Sequence, residues 1–413
     1  MIWSQPPRGR EPLAWAAVGV WVGVIYLTIP LARTIQRVVQ AHASRNLFLW
    51  ATLLAFGLVA AAAVRARLRG HWQATTGQWA ALGAVLGLFS GLAWSLRANP
   101  EEALHFVQYG LLGLLLFRAL AHRLADPSIY LAGTLIGAMF GICDELIQWL
   151  VPNRFFDYRD IGINTLAGLL TQAGLWAAIR PAFVRGACSR GGLRLACSAL
   201  AANALLLLFC TQNTPAFQEA AARWIPALAR VNEITVEYGH RIEAGGGTVF
   251  NSRLAPEELR RQDRERGSAV AQQIGRYRSD GQYLRFLHAH PAHRDPLAVE
   301  ARIHIFRRDR YAAEAHERFA GPERETAAEV AWREQQILAA WFPRTLGLSP
   351  FAWPADMTAR IQTWRGPPWP RYYSPVSRGI ITWTSRRTLG LALLAVLLAA
   401  LAGERRAARR PTP

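Results

Sequence analysis

The chain has 413 residues, 52% of them hydrophobic, with 16 Trp and a formal charge of +19. All 47 Lys-or-Arg positions are Arg, which excludes Schiff-base and lysine-nucleophile chemistry. The arginines flank apolar runs rather than forming a patch of their own, so the charge points to membrane anchoring and argues against a nucleic-acid partner.

Eight apolar runs approach the ~20 residues needed to cross a bilayer. They lie at 13–31, 47–64, 78–96, 103–121, 129–150, 161–179, 194–210 and 388–402. The last is short and Leu/Ala-rich, and it can borrow Ile380 to Trp383 upstream or tilt differently. No convincing small-residue cleavage site follows the first run, so it reads as an anchor rather than a signal peptide. With the N-terminus inside, the inside segments hold 15 Arg and the short outside loops 6. That bias puts both termini in the cytoplasm, although Arg386 and Arg387 count mildly against it. Residues 211–387 then form an extracytoplasmic insertion. Cys143, Cys188, Cys197 and Cys210 all lie in or beside the membrane part, with no C-x-x-C spacing. They read as small buried residues, neither a disulfide framework nor a metal site. Trp72, Trp79 and Trp94 near span ends read as interface anchors.

Glycines recur at four-residue spacing in two runs, Gly83, Gly87 and Gly91 in the third and Gly133, Gly137 and Gly141 in the fifth. Such stripes let helix backbones approach closely in lipid. The fifth-run stripe continues into Glu145, with Asp144 and Gln148 on nearby positions. Asp157, Asp160, Asn164, Gly168 and Thr171 step along one face of the sixth run, and His105, Tyr109 and Gly113 do so in the fourth. Ionisable groups at membrane depth are costly and turn inward. A bundle of these three helices is expected to bring His105, Glu145, Asp160 and Arg154 near one another.

These residues resemble the VanZ-like membrane protein family. The resemblance rests on His105 with Tyr109, on the helix end Gly141, Asp144, Glu145, Gln148, and on Pro152, Arg154, Asp157, Asp160, Asn164, Gly168. It covers about residues 78–180. The family usually has a basic residue three positions before the His, where this chain has Glu102 after Glu101; an anionic ligand or its pose is expected to differ accordingly. The resemblance implies a cell-envelope protein linked to glycopeptide-antibiotic tolerance, with no reaction assigned.

Several chemistries suit this set. Arg154 beside carboxylates can hold a phosphate headgroup, and the acids can bind a bridging divalent cation. His105 with neighbouring carboxylates can act as general acid or base on a phosphate-bearing lipid. The purely structural reading pairs Arg154 with Asp157 or Asp160 and gives Asp144 the task of ordering the turn. No cofactor is identified. His288, His290 and His293 have a spacing that suits a loop better than a metal site.

In the insertion, Val231 to Glu237 alternates as a strand does. Ala255-Pro256-Glu257-Glu258 opens a helix to about Ile274, with Pro at a first-turn position. Gly245 to Gly247 reads as a flexible turn. Gln282 to His288 fits helix or strand, and Leu297 to Phe306 reads as a strand of Val299, Ala301, Ile303 and Ile305. Glu325 to Phe342 reads as an amphipathic helix, and 343–387 as irregular structure. The domain carries no nucleophile elbow and no phosphate loop, and its place suits an extracytoplasmic protein partner, a lid or a spacer.

The expected architecture is therefore an all-α polytopic membrane bundle of about eight transmembrane helices with an extracytoplasmic α+β insertion. Its parts are two N-terminal transmembrane helices (1–77), a core (78–180), a seventh transmembrane helix (181–210), the insertion (211–387) and a C-terminal helix with a basic cytoplasmic tail (388–413). The expected function is binding or handling of a lipid-linked or glycan envelope precursor at the outer face. A membrane-embedded hydrolase or transferase and an assembly scaffold are the competing classes.

Overall fold

The computed structural model describes residues 10–44, 46–70, 72–151, 154, 156–226, 236–318 and 320–409. The protein is mostly helical, at 73%, and divides into two units.

Of the described residues, unit 1 holds those within 10–213, 217–226 and 389–409. Its helices begin with α1 (Glu11–Thr28), α2 (Ala32–His42), α3 (Leu47–Leu68) and α4 (Thr76–Ser95). A 3-10 turn (Pro100–Ala103) leads into α5 (Leu104–Leu120), followed by α6 (Ser128–Leu150), α7 (Tyr158–Gly174) and α8 (Arg190–Cys210). Short α9 (Pro215–Trp224) follows. Starts are set by local capping. Thr75 and Gln78 cap α4 reciprocally, Asp157 accepts from the Arg159 amide at the start of α7, and Ser189 accepts from the Gly192 amide at the start of α8.

Among the described residues, seven helices, counting one at the C-terminus, are long and apolar enough to cross a membrane. The sequence led us to expect about eight. The difference lies at 161–179, where α7 is a 17-residue α-helix carrying Arg159 and Asp160 and passing into a π turn at Leu175–Ile179. Helix α2 was not foreseen. Its short pattern puts Leu31, Ile35 and Val38 on one exposed apolar side and Arg33 and Arg37 elsewhere, the composition of a helix that lies in a membrane interface.

Helices α5, α6 and α7 make the interior. Phe106, Tyr109, Leu112, Leu116 and Ala167 are fully buried there, whereas α3 shows Leu54 and Leu58 outward. The α6 glycine stripe does what its spacing implies. An added Cβ would meet Gln172 Nε2 at 3.0 Å from Gly133, Leu116 at 3.6 Å from Gly137 and Asn164 Cβ at 2.9 Å from Gly141. The α4 stripe does not: a Cβ on Gly83, Gly87 or Gly91 meets nothing within 4 Å. Equal spacing gave opposite outcomes because α4 turns that face away from its neighbours.

Unit 2 holds residues 214–216 and 236–388. It contains β1 (His240–Gly245), β2 (Thr248–Ser252), α10 (Pro256–Gly275), α11 (Asp280–Ala289), α12 (Pro296–Glu317), α13 (Gly321–Trp341), α14 (Pro343–Leu348), α15 (Ala355–Trp364) and β3 (Tyr372–Tyr373). β1 and β2 form an antiparallel hairpin, and β3 joins β2 in parallel with Thr248 opposite Tyr372. Gly245, Gly246 and Gly247 turn the hairpin with φ of 87°, 58° and 76°, a left-handed run that favours glycine.

The helices at 256–275 and 321–341 match expectation, and 282–288 is helical. The strand expected at 297–306 is instead part of α12. Pro296 sits in its first turn, and Leu297, Ala301, Ile305 and Ala312 bury one helical stripe. The alternating Val299 to Ile305 pattern fits either period over ten residues, so it misled. Most of the strand expected at 231–237 lies outside the described residues. The supposedly irregular 343–387 contains α14, α15 and β3.

The core of unit 2 joins Phe250, Leu259, Ile274, Phe286, Leu297, Ile305, Ile337, Leu338 and Phe342. A buried polar network runs beside it. Glu334 accepts from Tyr372 Oη at 2.6 Å, Ser374 Oγ at 2.8 Å and Arg307 Nε at 3.0 Å, and pairs with His304 Nδ1 at 2.6 Å. Glu300 accepts from Ser252 Oγ at 2.6 Å and the Arg253 amide at 2.9 Å. Burial pushes both carboxyls up. It prevails at Glu300, whereas at Glu334 the His304 charge and the hydrogen bonds from His304, Tyr372 and Ser374 hold the group below the usual range.

The last helix, α16 (Arg386–Arg409), returns to unit 1, where Arg194 Nη2 meets Glu404 Oε1 at 3.2 Å. Arg123 pairs with Glu11 at 2.5 Å, and Gln78 Nε2 donates to Ala178 O at 2.9 Å. These bonds gather the starts of α1, α4 and α8 and the ends of α5 and α16 at one end of the helices.

Candidate functional site

At the opposite end, the C-terminal turn of α6 carries Asp144, Glu145 and Gln148, all at most 2% exposed. The cluster is built by two contacts from neighbouring elements and a bridge within α6 itself. Tyr109 Oη on α5 donates to Asp144 Oδ2 at 2.8 Å. Gln148 Nε2 bridges Glu145 Oε1 at 2.6 Å and Asp144 Oδ1 at 3.4 Å. The Asp157 amide, at the N-cap of α7, donates to Glu145 Oε2 at 2.8 Å. The α6–α7 turn is thus tied back onto the α6 acids, and Asp157 itself caps α7.

Arg154 Nη2 donates to Gln148 Oε1 at 2.5 Å. The structural expectation paired Arg154 with Asp157 or Asp160; its hydrogen bond goes instead to the amide oxygen of Gln148, because Asp157 is turned to the α7 backbone. The His105 ring stacks near Tyr109, with centroids 6.3 Å apart, and lies within electrostatic reach of Asp144 and Asp160. The structure therefore brings together His105, Tyr109, Asp144, Glu145, Gln148, Arg154 and Asp160, while Asp157 plays a capping part.

Asn164 stands apart. It is wholly buried on α7, against Gly141 and one α7 turn inward of Asp160, and among the described residues neither Oδ1 nor Nδ2 has a hydrogen-bond partner. His105 Nδ1 and Arg154 Nε are likewise buried and without a partner among the described residues. A buried amide left unsatisfied costs about 1–3 kcal/mol, so these groups call for an explanation beyond packing.

Glu102, the departure from the family pattern, forms an ion pair with Arg159 of α7 at 2.9 Å. The acid at that position is thus matched by a base across the helix interface. Gln36 of α2 reaches the same edge, donating to Glu101 Oε1 at 2.9 Å. Two buried polar contacts elsewhere in the bundle were not foreseen. Gln172 donates to Gly113 O at 2.8 Å and Tyr26 of α1 to Phe140 O at 2.9 Å. Gln172 lies eight residues past Asn164, two helical turns along the same face, which was a readable signal.

Among the described residues, no group of three or more His, Cys, Asp or Glu side chains is placed to hold a metal ion. Asp144 and Glu145 are instead occupied by Tyr109, Gln148 and the Asp157 amide. The four cysteines are free thiols, and His290 bonds to Gln273 at 3.0 Å.

A bundle of long apolar helices with a polar cluster turned inward at one end defines a multi-pass membrane protein. Residues 14–179, from within α1 to the end of the π turn, match the VanZ/LLP1 family model, so that stretch is similar to VanZ-type membrane proteins. That region includes α1 and α3, upstream of the motif residues. No curated protein and no solved structure matches the chain.

Proposed function

We propose that the α5–α6–α7 cluster binds the polar head of a lipid-linked or glycan-bearing envelope precursor. Asn164 carries this reading: a carboxamide wholly buried in a membrane bundle, with donor and acceptor both unused, is suited to a ligand that supplies both. Arg154 offers a free Nε–H beside its bond to Gln148, suited to a phosphate oxygen. The carboxylates of Asp144, Glu145 and Asp160 favour hydroxyl or amide donors on the ligand and disfavour a bare phosphate. A head carrying sugar as well as phosphate satisfies both preferences. Arginine enrichment at the opposite end supports cytoplasmic termini and an extracytoplasmic cluster and unit 2. This reading accommodates the glycopeptide tolerance that the family resemblance implies.

Native mass spectrometry of gently solubilised protein, wild type beside Arg154→Gln, is the test. Retention of a sugar- or phosphate-bearing lipid by the wild type and its loss from the variant supports the proposal. Equal retention by two folded proteins, or no bound lipid in either, refutes it. Turnover of the retained lipid, abolished by His105→Gln, would instead favour the hydrolase or transferase class.

A further inference from the structure

The other end of the bundle holds a second feature that this reading does not use. Between the start of α6 and the end of α7 lies a cavity of about 470 Å³, lined by Pro127, Tyr130, Trp176, Arg180, Val184 and Arg185, among others. It sits roughly 25 Å from the polar cluster, the rise of about 17 residues of α6 at ~1.5 Å each.

Its two arginines are held by backbone, not by acids. Arg180 Nε donates to Ala177 O at 3.1 Å and Arg185 Nε to Ala182 O at 2.5 Å, and among the described residues neither makes a carboxylate pair within 4.0 Å. Arg180 ends the π turn in the left-handed region, with φ of 50°. A non-glycine residue rarely sits there. Arg185 is fixed further by its amide bond to Ala125 O at 2.9 Å. Asp126, next to Pro127 in the chain, is engaged with the Ser128 amide at 3.0 Å, and hydrogen bonds from Ser128 and Ser189 outweigh its desolvation and hold it below the usual range. The remaining wall is apolar and aromatic. Trp176 is 64% exposed, and Tyr130 stacks on Phe117 at 5.7 Å.

We infer that this cavity is a binding site for an anionic phospholipid of the surrounding bilayer. Two guanidinium groups beside a Trp and a Tyr at span ends match a phosphate headgroup at the level of the interface. The apolar wall of Pro127, Val184 and Trp176 accommodates the upper acyl chain. A soluble phosphate would meet the same arginines without filling that wall, so the lipid is the favoured source. The inference is independent of the proposal for Arg154 and Asn164.

The test is native mass spectrometry of the full-length protein with added phosphatidylglycerol and phosphatidylcholine. Wild type is expected to prefer phosphatidylglycerol. Arg180→Gln with Arg185→Gln is expected to lower that preference about 30-fold, which corresponds to ~2 kcal/mol for two surface arginines. Arg65→Gln with Arg67→Gln removes equal charge from the α3 end and is expected to change it less than threefold. Arg185→Glu alters one exposed side chain, is expected to fold, and should lose most of the preference. Equal loss in the α3 control would show bulk charge rather than a site and overturn the inference. So would an absence of preference in wild type, or displacement of the lipid by an equal concentration of inorganic phosphate. Arg180→Gln with Arg185→Gln is expected to keep whatever lipid is retained through Arg154, which keeps this test separate from that of the polar cluster.

Discussion

Gly141→Ala is the most informative single change in the membrane part. A Cβ there lies 2.9 Å from Asn164 Cβ, an atom fixed to the α7 backbone, and 3.5 Å from Tyr109 Cε1. Carbon atoms rest at about 3.5–4.0 Å, so α6 and α7 must separate by roughly 0.6–1 Å. Overpacking of this kind costs about 1–3 kcal/mol, partly offset by about 0.5–1 kcal/mol of helix preference for Ala over Gly. Gly137→Ala, which meets only Leu116 at 3.6 Å, and Gly83→Ala, which meets nothing, keep the helix gain without the clash. Thermal unfolding in detergent should rank Gly141→Ala below wild type and the other two at or above it. The same variant moves Asn164, so it should also lose bound lipid. A Gly141→Ala protein as stable as Gly137→Ala would refute the close approach of α6 to α7 on which the site rests.

In unit 2, Phe250→Ala should cost about 3–5 kcal/mol, because the ring is fully buried against His304 and Trp341; hydrogen exchange of α12 and α13 would read it. Arg333→Gln should loosen the hairpin and β3 together, since Arg333 bonds Thr248 Oγ1 at 3.0 Å and Trp369 O at 2.5 Å, at a cost of about 3–5 kcal/mol. The same exchange measurement should show β1 to β3 opening as one. Unit 2 should also lose stability in acid. Glu334 is held below its ordinary value, so its contribution is present above pH ~4.3 and disappears as pH falls through the lowered native value. Glu300 moves the other way, and the stability tied to its raised value is lost as pH rises towards that value. Unfolding followed against pH should show a flatter acid limb in Glu334→Gln and less loss on raising pH in Glu300→Gln.

The sequence made the membrane part legible because lipid imposes one strong rule. Apolar runs of span length and inward-turned charges mark α3 to α6, α8 and the cluster around Glu145 in the sequence itself. It did not reveal which glycine stripe is packed, since spacing is the same in α4 and α6 and only the neighbour differs. Nor did it show that Arg154 meets Gln148, because that depends on the Asp157 amide claiming Glu145. In unit 2 the loss was greater. Helix α12 carries an alternation of β-branched residues that imitates a strand, and strands β1 and β2 are short and unremarkable in composition. The Glu300, His304 and Glu334 network is assembled from residues up to 137 positions apart, Glu237 to Ser374, so no local pattern announces it.

The most direct test of the central claim is a structure of the protein in lipid nanodiscs at a resolution that shows headgroups. The account predicts non-protein density within hydrogen-bonding distance of the Asn164 carboxamide and of Arg154 Nε, continuous with a lipid chain. An Asn164 side chain fully bonded to protein groups, with no density beside it, would contradict the account and leave the cluster as a device for tying α6 to α7.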